Sequence, residues 1–348
     1  MTSRRVHYVR LGNSGLKVSR LIMGCASFGH KGWNEWVIDD QEEANRMIKF
    51  AYDAGIQTFD TANAYSSGLS EIMLGKAIKA LNMPREELVI MTKLFAPLGP
   101  EHGINIFGSG KTPLDYGIIN QWGLNRKHIF DSVKASLKRL QLDYIDVLQC
   151  HRLDGDTPKE EIMHALHDVV QAGYVRYIGM SSCYAHQYYA ITHGLTPFIS
   201  MQNHYNLLYR EEEREMVPTL KLFGVGMIPW SPLAAGRLAK PLNNAGVTTR
   251  STTDKSPNGY NGPGTPDILL RVEELAKKKG VKMAQIGLAW MLAKDHVTAP
   301  IIGSSKFEHL TDAIGALDVK LTEEEIEYLE APYKPTAIMG HFEARVML

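Results

Sequence analysis

The sequence predicts an α/β protein, a (β/α)8 TIM barrel with an N-terminal β-hairpin and long loops on its catalytic rim. Eight apolar runs have the length and composition of buried parallel strands, and the segments between them have the period of amphipathic helices. The runner-up, an open doubly wound sheet, normally shows a GxGxxG turn after an early strand, and the chain has none. We therefore expect one closed barrel domain over residues 1–348.

The predicted strands alternate with helices along the whole chain. Capping boxes predict two helix starts, at Thr157 with Glu160 and at Thr322 with Glu325. Gly55 and Gly173 can end helices in a left-handed conformation. In chain order, the eight predicted strands are 18–23, 55–59, 88–92, 144–150, 175–180, 198–201, 225–229 and 298–302.

Two segments lie outside the eightfold repeat. Residues 7–11 and 16–20, joined by Gly12-Asn13-Ser14-Gly15, read as a hairpin that plugs the N-terminal end of the barrel. Three loops exceed the usual length for such connections, and each follows a strand, so we expect them on the catalytic rim. These loops are 94–125, 206–210 with its flanks, and 231–266.

Composition favours a globular protein that acts on small molecules. The chain has 348 residues, 44% of them hydrophobic, and a formal net charge of zero, which suggests no nucleic-acid and no membrane partner. Residues 1–10 are polar and basic, so we expect no secretion signal and a cytoplasmic location. Cys25, Cys150 and Cys183 fall singly, which predicts reduced thiols, and we expect no metal site.

Four polar residues stand at or beyond strand ends, where catalytic groups gather in such barrels. Asp60, Lys93 and His151 each directly follow an apolar run, and Tyr65 lies five residues beyond Asp60. A tyrosine is a poor acid at neutral pH unless a cation stabilises its phenolate, and a buried lysine stays charged only beside an anion. Together these side chains could protonate the oxygen of an aldehyde or ketone while hydride reduces it.

Each of the four residues also has a structural interpretation. Asp60 could cap a turn, Lys93 could be a solvated charge, Tyr65 a rim aromatic and His151 a hydrogen-bonded structural histidine. Their shared rim weakens these interpretations, since four independent coincidences are required. Spacing alone nevertheless leaves the catalytic and the structural interpretations equally open.

A second motif suggests nucleotide hydrolysis but lacks its context. Residues 108–112 (GSGKT) imitate the end of a phosphate-binding P-loop. Asn105 stands where the first glycine should be, no strand ends directly before the motif, and 113–117 does not read as the receiving helix. We therefore exclude an ATP-hydrolysing function.

At the four rim residues the chain resembles the aldo-keto reductase superfamily, over about residues 9–329. Residues 59–65 (FDTANAY), 136–146 (SLKRLQLDYID) and 173–181 (GYVRYIGMS) resemble its signatures. The resemblance implies a (β/α)8 fold that uses NADPH. It also implies that Tyr65 is the general acid, that Lys93 stabilises its phenolate, that Asp60 pairs with Lys93 and that His151 orients the carbonyl.

The same resemblance implies a cofactor site. Ser181 and Gln202 would hold the nicotinamide carboxamide and Trp230 would stack on the ring, while the backbone of 230–237 would line the pyrophosphate. That segment resembles the branch with potassium-channel beta subunits, bacterial aldehyde reductases and fungal aryl-alcohol dehydrogenases, and 303–306 (GSSK) resembles the loop that binds the 2′-phosphate. The implied cofactor residues are Gly24, Ser181, Ser182, Gln202, Trp230, Ser231, Pro232, Leu233, Ala234, Gly236, Arg237, Arg250, Gly303, Ser305, Lys306 and His309.

Two positions depart from the family pattern. Ser182 stands where many relatives have asparagine, so a carboxamide contact falls to a shorter hydroxyl. His309 and Ala313 stand where relatives often carry glutamine or arginine and then asparagine against the adenine. The preference for NADPH therefore rests mainly on Lys306.

The rim loops predict the substrate. They contain five aromatic residues, which favour aromatic or aliphatic aldehydes unless these rings only pack the loops onto the barrel. We expect a small carbonyl compound as the partner, with monomer and homo-oligomer both open. The alternative function is a regulatory subunit of the channel-beta type that binds NADPH with negligible turnover. The five aromatics are Trp33, Phe95, Phe107, Tyr116 and Trp122.

Overall fold

A parallel eight-stranded sheet curls into the predicted barrel. The computed structural model describes residues 6–182, 187–244, 260–339 and 343–344. Its strands are β1 (Tyr8–Arg10), β2 (Lys17–Ser19), β3 (Ile22–Gly24), β4 (Thr58–Asp60), β5 (Val89–Leu94), β6 (Ile145–Cys150), β7 (Leu153–Asp154), β8 (Val175–Ser181), β9 (Phe198–Gln202), β10 (Gly226–Met227), β11 (Ile301–Gly303) and β12 (Glu343–Ala344).

The barrel strands follow one another in the order β10-β9-β8-β6-β5-β4-β3-β11, and all pairings are parallel. The ring closes between β10 and the chain leading into β11. There the amide of Thr298 donates to the carbonyl of Met227 at 2.8 Å, and the amide of Ile301 donates to the carbonyl of Pro229 at 2.9 Å. The predicted fold class is confirmed.

Helices cover the outside of the sheet, as a parallel sheet buried on both faces requires. The first helix shows how the sequence achieves this, because Ala44, Met47, Ile48 and Ala51 form its buried stripe. The helices are α1 (Gln41–Asp53), α2 (Leu69–Ala80), α3 (Arg126–Leu140), α4 (Lys159–Gln171), α5 (Gln187–Thr192), α6 (Met216–Phe223), α7 (Thr265–Lys279), α8 (Met283–Ala293), α9 (Phe307–Gly315) and α10 (Glu323–Glu330).

The predicted helix ends are mostly confirmed. Gly55 and Gly173 have φ of 100° and 77°, and the capping box of Thr322 with Glu325 is present. The capping box at Thr157 is wrong, because the Thr157 hydroxyl donates to the carboxylate of Asp154 at 2.7 Å. A charged acceptor three residues away competes successfully for that hydroxyl.

The N-terminal hairpin is confirmed, but the first predicted strand is divided. Residues 18–23 belong partly to β2, which pairs antiparallel with β1, and partly to β3 of the barrel. The chain turns at Arg20, whose amide donates to the carbonyl of His7 at 2.8 Å and whose guanidinium donates to the carbonyl of Leu292 at 2.7 Å. Leu11 and Val18 of the hairpin then pack against the interior faces of the barrel strands and close that end.

The long loop after β5 contains the P-loop imitation. Two short 3-10 helices occur in it, Ile106–Gly108 and Pro113–Tyr116. The amide and hydroxyl of Thr112 both donate to the carboxylate of Asp115, at 2.7 and 2.8 Å, so they bind their own loop. This local turn agrees with the exclusion of a nucleotide-hydrolysing motif.

The described ranges contain neither a helix that could cross a membrane nor a cluster of metal-binding side chains. Within residues 6–182, 187–244, 260–339 and 343–344, every helix is too short or too polar to cross a bilayer. The same ranges contain no group of three or more histidine, cysteine, aspartate or glutamate side chains arranged to hold a metal ion. Cys25 and Cys150 are buried free thiols, and burial raises the pKa of Cys150 to about 12.

Candidate active site

A buried ion pair lies at the carboxyl ends of β4 and β5. The Nζ atom of Lys93 is 2.5 Å from Oδ2 of Asp60 and donates to the carbonyl of Thr61 at 2.8 Å. The side chains of Lys93 and Asp60 are 0% and 2% exposed. The third contact of the ammonium is with Oη of Tyr65, at 3.2 Å. The structure therefore brings together three of the four predicted catalytic residues at hydrogen-bonding distance.

Two glutamines complete the shell around Asp60. Nε2 of Gln149 donates to Oδ1 of Asp60 at 2.8 Å, and Nε2 of Gln202 donates to the same oxygen at 3.0 Å and to Oε1 of Gln149 at 2.8 Å. The carboxylate thus receives amide donors on one oxygen and the ammonium on the other. The sequence interpretation missed Gln149, although an uncharged polar residue inside the buried run of β6 was a usable signal.

The charge of Lys93 is a balance of opposing effects. Burial alone lowers the pKa of Lys93, but the carboxylate of Asp60 and the oxygen of Tyr65 together raise it above its usual value. The ammonium is therefore cationic at neutral pH. A cation fixed at this distance stabilises negative charge on the phenol oxygen.

Tyr65 is placed by a clamped, left-handed turn. Ser66 and Ser67, which follow it, both have φ of 47°. Oγ of Ser66 accepts from the amide of His30 at 3.0 Å, and Oγ of Ser67 donates to the carbonyl of Ile104 at 3.1 Å. These contacts tie the loop after β4 to two neighbouring rim loops, so the position of the phenol is fixed by the surrounding structure.

His151 lies beside Tyr65, with ring centroids 5.9 Å apart and an interplanar angle of 86°. Burial, and then the positive charges of Arg152 and Lys93, hold the pKa of His151 well below its usual value. The imidazole is therefore neutral at physiological pH. A neutral imidazole can donate one hydrogen bond to a carbonyl oxygen without competing as the proton source.

A second buried carboxylate supports β5 from outside the barrel. Oε1 of Glu71 accepts from the hydroxyl of Thr92 at 2.6 Å, and Oε2 accepts from Nε of Arg139 at 2.6 Å. Arg139 belongs to the SLKRLQLDYID segment, so this motif has a visible structural purpose. It fixes the strand that carries Lys93.

The predicted nicotinamide residues are adjacent to this network. The hydroxyl of Ser181 donates to the backbone carbonyl of Gln202 at 2.8 Å. Ser182, with φ of 47°, accepts from the indole N–H of Trp230 at 3.1 Å. The hydroxyl that replaces the family's asparagine therefore holds the edge of the indole ring.

The predicted pyrophosphate loop has an unusual backbone. Ser231, Ala234, Ala235 and Gly236 have φ of 57°, 49°, 53° and 92°. Such curled backbone turns N–H groups toward one side and suits an anion. The guanidinium of Arg237 donates to the side-chain carbonyl of Asn261. Two sequence assignments, Arg250 and Cys183, lie outside the described residues.

The predicted 2′-phosphate loop follows β11. Gly303 pairs with Gly24, which in turn pairs with Asp60, so these predicted cofactor residues lie side by side along the rim. Ser304 closes a tight turn by accepting from the amide of Lys306 at 3.0 Å. Ser305, Lys306 and His309 follow, with the Lys306 and His309 side chains exposed.

The five aromatic residues of the rim loops lie in different surroundings. The ring of Trp33 lies 6.1 Å from that of Tyr65, and Phe95 packs 6.1 Å from Trp122 directly beyond β5. Tyr116 instead lies under the ammonium of Lys111, 5.5 Å away, within its own loop. The side chain of Phe107 is outside what the structure describes.

The fold and the site define a class of protein, a (β/α)8 barrel with a buried lysine–carboxylate pair beside a rim tyrosine. The sequence model of the aldo/keto reductase family matches residues 20–334, and the chain belongs to that family. Membership supports an oxidoreductase that acts on carbonyl groups.

Three fungal proteins illustrate the similarity. A Schizosaccharomyces pombe protein provisionally named an aryl-alcohol dehydrogenase is 51% identical over 345 residues, which cover 96% of this chain and 97% of that protein. The versiconal hemiacetal acetate reductase of Aspergillus parasiticus is 46% identical over 348 residues, 96% of this chain and 98% of its own. An aldo-keto reductase of Alternaria alternata is 44% identical over 353 residues, covering 97% and 94%.

Proposed function

We propose that the protein is an NADPH-dependent reductase that converts aldehydes or ketones to alcohols, with Tyr65 as the general acid. The observation that carries this proposal is the contact of 3.2 Å between Nζ of Lys93 and Oη of Tyr65. The relatives with aldo-keto reductase, aryl-alcohol dehydrogenase and hemiacetal acetate reductase names support the reaction class.

Each of the four rim side chains has one part in the proposed mechanism. NADPH, when bound, supplies the hydride. The hydroxyl of Tyr65 transfers its proton to the carbonyl oxygen as negative charge develops there. Lys93 stabilises the phenolate that remains, and Asp60 keeps that ammonium charged. The neutral imidazole of His151 donates a hydrogen bond that directs the carbonyl oxygen toward the phenol.

The residues on the rim fit the cofactor. Trp230 offers a flat indole, fixed at its edge by Ser182, for a stacked nicotinamide. The left-handed run at 234–236 and the guanidinium of Arg237 suit the pyrophosphate, and the exposed ammonium of Lys306 suits the 2′-phosphate.

Aromatic or aliphatic aldehydes are the proposed substrates. Trp33, partly exposed beside Tyr65, gives the reacting groups an apolar, flat neighbour, whereas the rings of Phe95 and Trp122 are buried, 2% and 9% exposed, and pack the loop onto the barrel. The proposal also includes one domain over residues 1–348 and a cytoplasmic location. The buried thiols of Cys25 and Cys150 suit a reducing compartment.

The test is NADPH consumption with 4-nitrobenzaldehyde by the purified protein and by Tyr65→Phe. Loss of a general acid typically costs about 10²–10⁴-fold in rate, so turnover should fall by that factor while the Kd for NADPH stays within about twofold. Equal activity in the variant would contradict the mechanism. If a broad aldehyde panel gives no turnover while NADPH still binds, the regulatory-subunit alternative replaces the proposal.

A further inference from the structure

Trp230 stands at the top of a column of three parallel rings. Its indole lies 4.3 Å from the imidazole of His204 with an interplanar angle of 12°, and that imidazole lies 4.3 Å from the ring of Tyr209 at 13°. His204 is 3% exposed and Tyr209 is fully buried, whereas Trp230 is partly exposed. His204 therefore covers one face of the indole and leaves the opposite face for a stacked ring.

The imidazole is held in its plane by polar contacts. Its Nε2 atom lies 2.7 Å from Oη of Tyr260 and 3.3 Å from Nδ2 of Asn206. Tyr260 and Asn206 also contact Ser231, the residue after Trp230. The hydroxyl of Tyr260 hydrogen-bonds to Oγ of Ser231 at 3.0 Å, and Asn206 donates to the carbonyl of Ser231 at 3.0 Å. The plane of His204 is thus tied to the backbone next to the indole.

Tyr209 anchors the base of the column. Its hydroxyl accepts from the amide of Met339 at 3.0 Å and donates to the carbonyl of that residue at 3.3 Å. The backbones of Tyr209 and Asn206 also exchange hydrogen bonds, at 3.0 and 3.1 Å. The ring of Tyr209 therefore has little freedom to tilt, and His204, which stacks on it, is restrained in turn.

We propose that His204 is a positioning residue that sets the plane of the Trp230 indole and, through it, the plane of the nicotinamide. This inference rests on the proposed function, in which Trp230 carries that ring. An imidazole supplies a flat face and in-plane hydrogen bonds together, which an aliphatic side chain cannot do. Since a misplacement of about 1 Å can cost about 10²-fold in rate, the support matters for hydride transfer.

The test compares His204→Leu, which removes the flat ring, with His204→Phe, which restores it. His193→Leu is the matched control, because His193 also stacks on a tyrosine, Tyr189, with centroids 4.0 Å apart, but is exposed. His204→Leu should weaken the Kd for NADP+ about fivefold, lower kcat about 10–100-fold and raise the isotope effect with deuterated NADPH. The near-UV circular dichroism of the cofactor-free protein should change as the stack is lost.

His204→Phe restores the flat face but not the hydrogen bonds to Tyr260 and Asn206, so it should recover part of the cofactor affinity and kcat. His193→Leu should match the parent protein throughout. The proposal is overturned if His204→Leu keeps the parent values, or if His204→Phe is no better than His204→Leu. Should His204→Leu not fold, His204→Gln, which also lacks a ring, takes its place. Trp230→Leu measured in parallel separates the two proposals: unchanged NADP+ binding there refutes the cofactor site itself, whereas weakened binding there with normal His204 variants refutes only the role of His204.

Discussion

Replacing Asp60 by asparagine tests the ion pair under Tyr65 directly. The carboxylate has acceptors on both sides, one toward Lys93 and one toward the amides of Gln149 and Gln202. An asparagine side chain offers only one oxygen, so one of these sets of donors loses its partner whichever way the amide turns. Removing one member of a buried ion pair costs about 3–5 kcal/mol in the free energy of unfolding. For a chain of 348 residues, that corresponds to a Tm lowered by about 4–7 °C.

The pH dependence gives the sharper criterion. Because the pKa of Lys93 is raised in the folded protein, its contribution to stability is present below the unfolded pKa of about 10.4 and is lost as pH rises through the folded value. In Asp60→Asn, burial is the largest remaining influence, so the pKa of Lys93 should fall below the unfolded value and its charge should oppose folding. The Tm difference between parent and variant should therefore be largest near pH 7–9 and shrink toward pH 11.

Thermal unfolding followed by circular dichroism from pH 7 to 11 measures this difference. Glu71→Gln is the matched control, since it removes a buried carboxylate whose partner, Arg139, stays charged throughout that range. Its Tm difference from the parent should stay constant. The reasoning is refuted if Asp60→Asn unfolds at the parent's Tm at pH 8, or if its Tm difference from the parent also stays constant up to pH 11.

Three further changes test other parts of the molecule. Because the pKa of His151 lies well below its usual value, kcat/KM of the parent should show no ionisation step between pH 6 and 8; a step there that disappears in His151→Gln would contradict the neutral imidazole. Lys306→Ala should raise KM for NADPH about tenfold and leave KM for NADH unchanged, and an equal rise for both cofactors would remove Lys306 from the 2′-phosphate site. Gly75→Ala should lower the free energy of unfolding by about 1–3 kcal/mol in urea titrations, because the added Cβ would lie 2.3 Å from the carbonyl oxygen of Leu140. An unchanged free energy of unfolding would show that α2 and α3 can separate at no cost.

The sequence predicted the strands well because barrel strands are buried on both faces and read as apolar runs. The sequence-based prediction was wrong where another polar group competed for a hydrogen bond or interrupted a strand. The hydroxyl of Thr157 binds Asp154 instead of its own helix, and Arg20 divides one apolar run between the hairpin and the barrel. The competing acceptor of Thr157 lies only three residues away and was visible in the sequence, whereas the contact of Arg20 with Leu292 joins distant parts of the chain, which residue spacing does not reveal.

The candidate site also has a part that the sequence predicts and a part that it does not. Asp60, Lys93 and Tyr65 were predictable because strand ends share one rim, but the partners that keep the site together were not. The family resemblance predicts that Gln202 holds the carboxamide, yet both of its amide hydrogens are directed inward, to Asp60 and Gln149. Only the carbonyl end of Gln202 is then left to receive the carboxamide's N–H group, so in the proposed mechanism the same side chain joins the proton-delivery residues to the cofactor site.

The complete hydrogen bonding of Asp60 and Lys93 explains why a costly buried ion pair is tolerated at the rim. Asp60 accepts from the ammonium and from two amides, while Lys93 donates to a carboxylate, a carbonyl and the phenol oxygen. When every donor and acceptor is satisfied, the desolvation penalty of the pair is largely offset. Tyr65 differs from this pair because it is partly exposed, while its hydroxyl contacts the ammonium of Lys93. This buried ion pair therefore ends at the one group from which, in the proposed mechanism, a proton must leave.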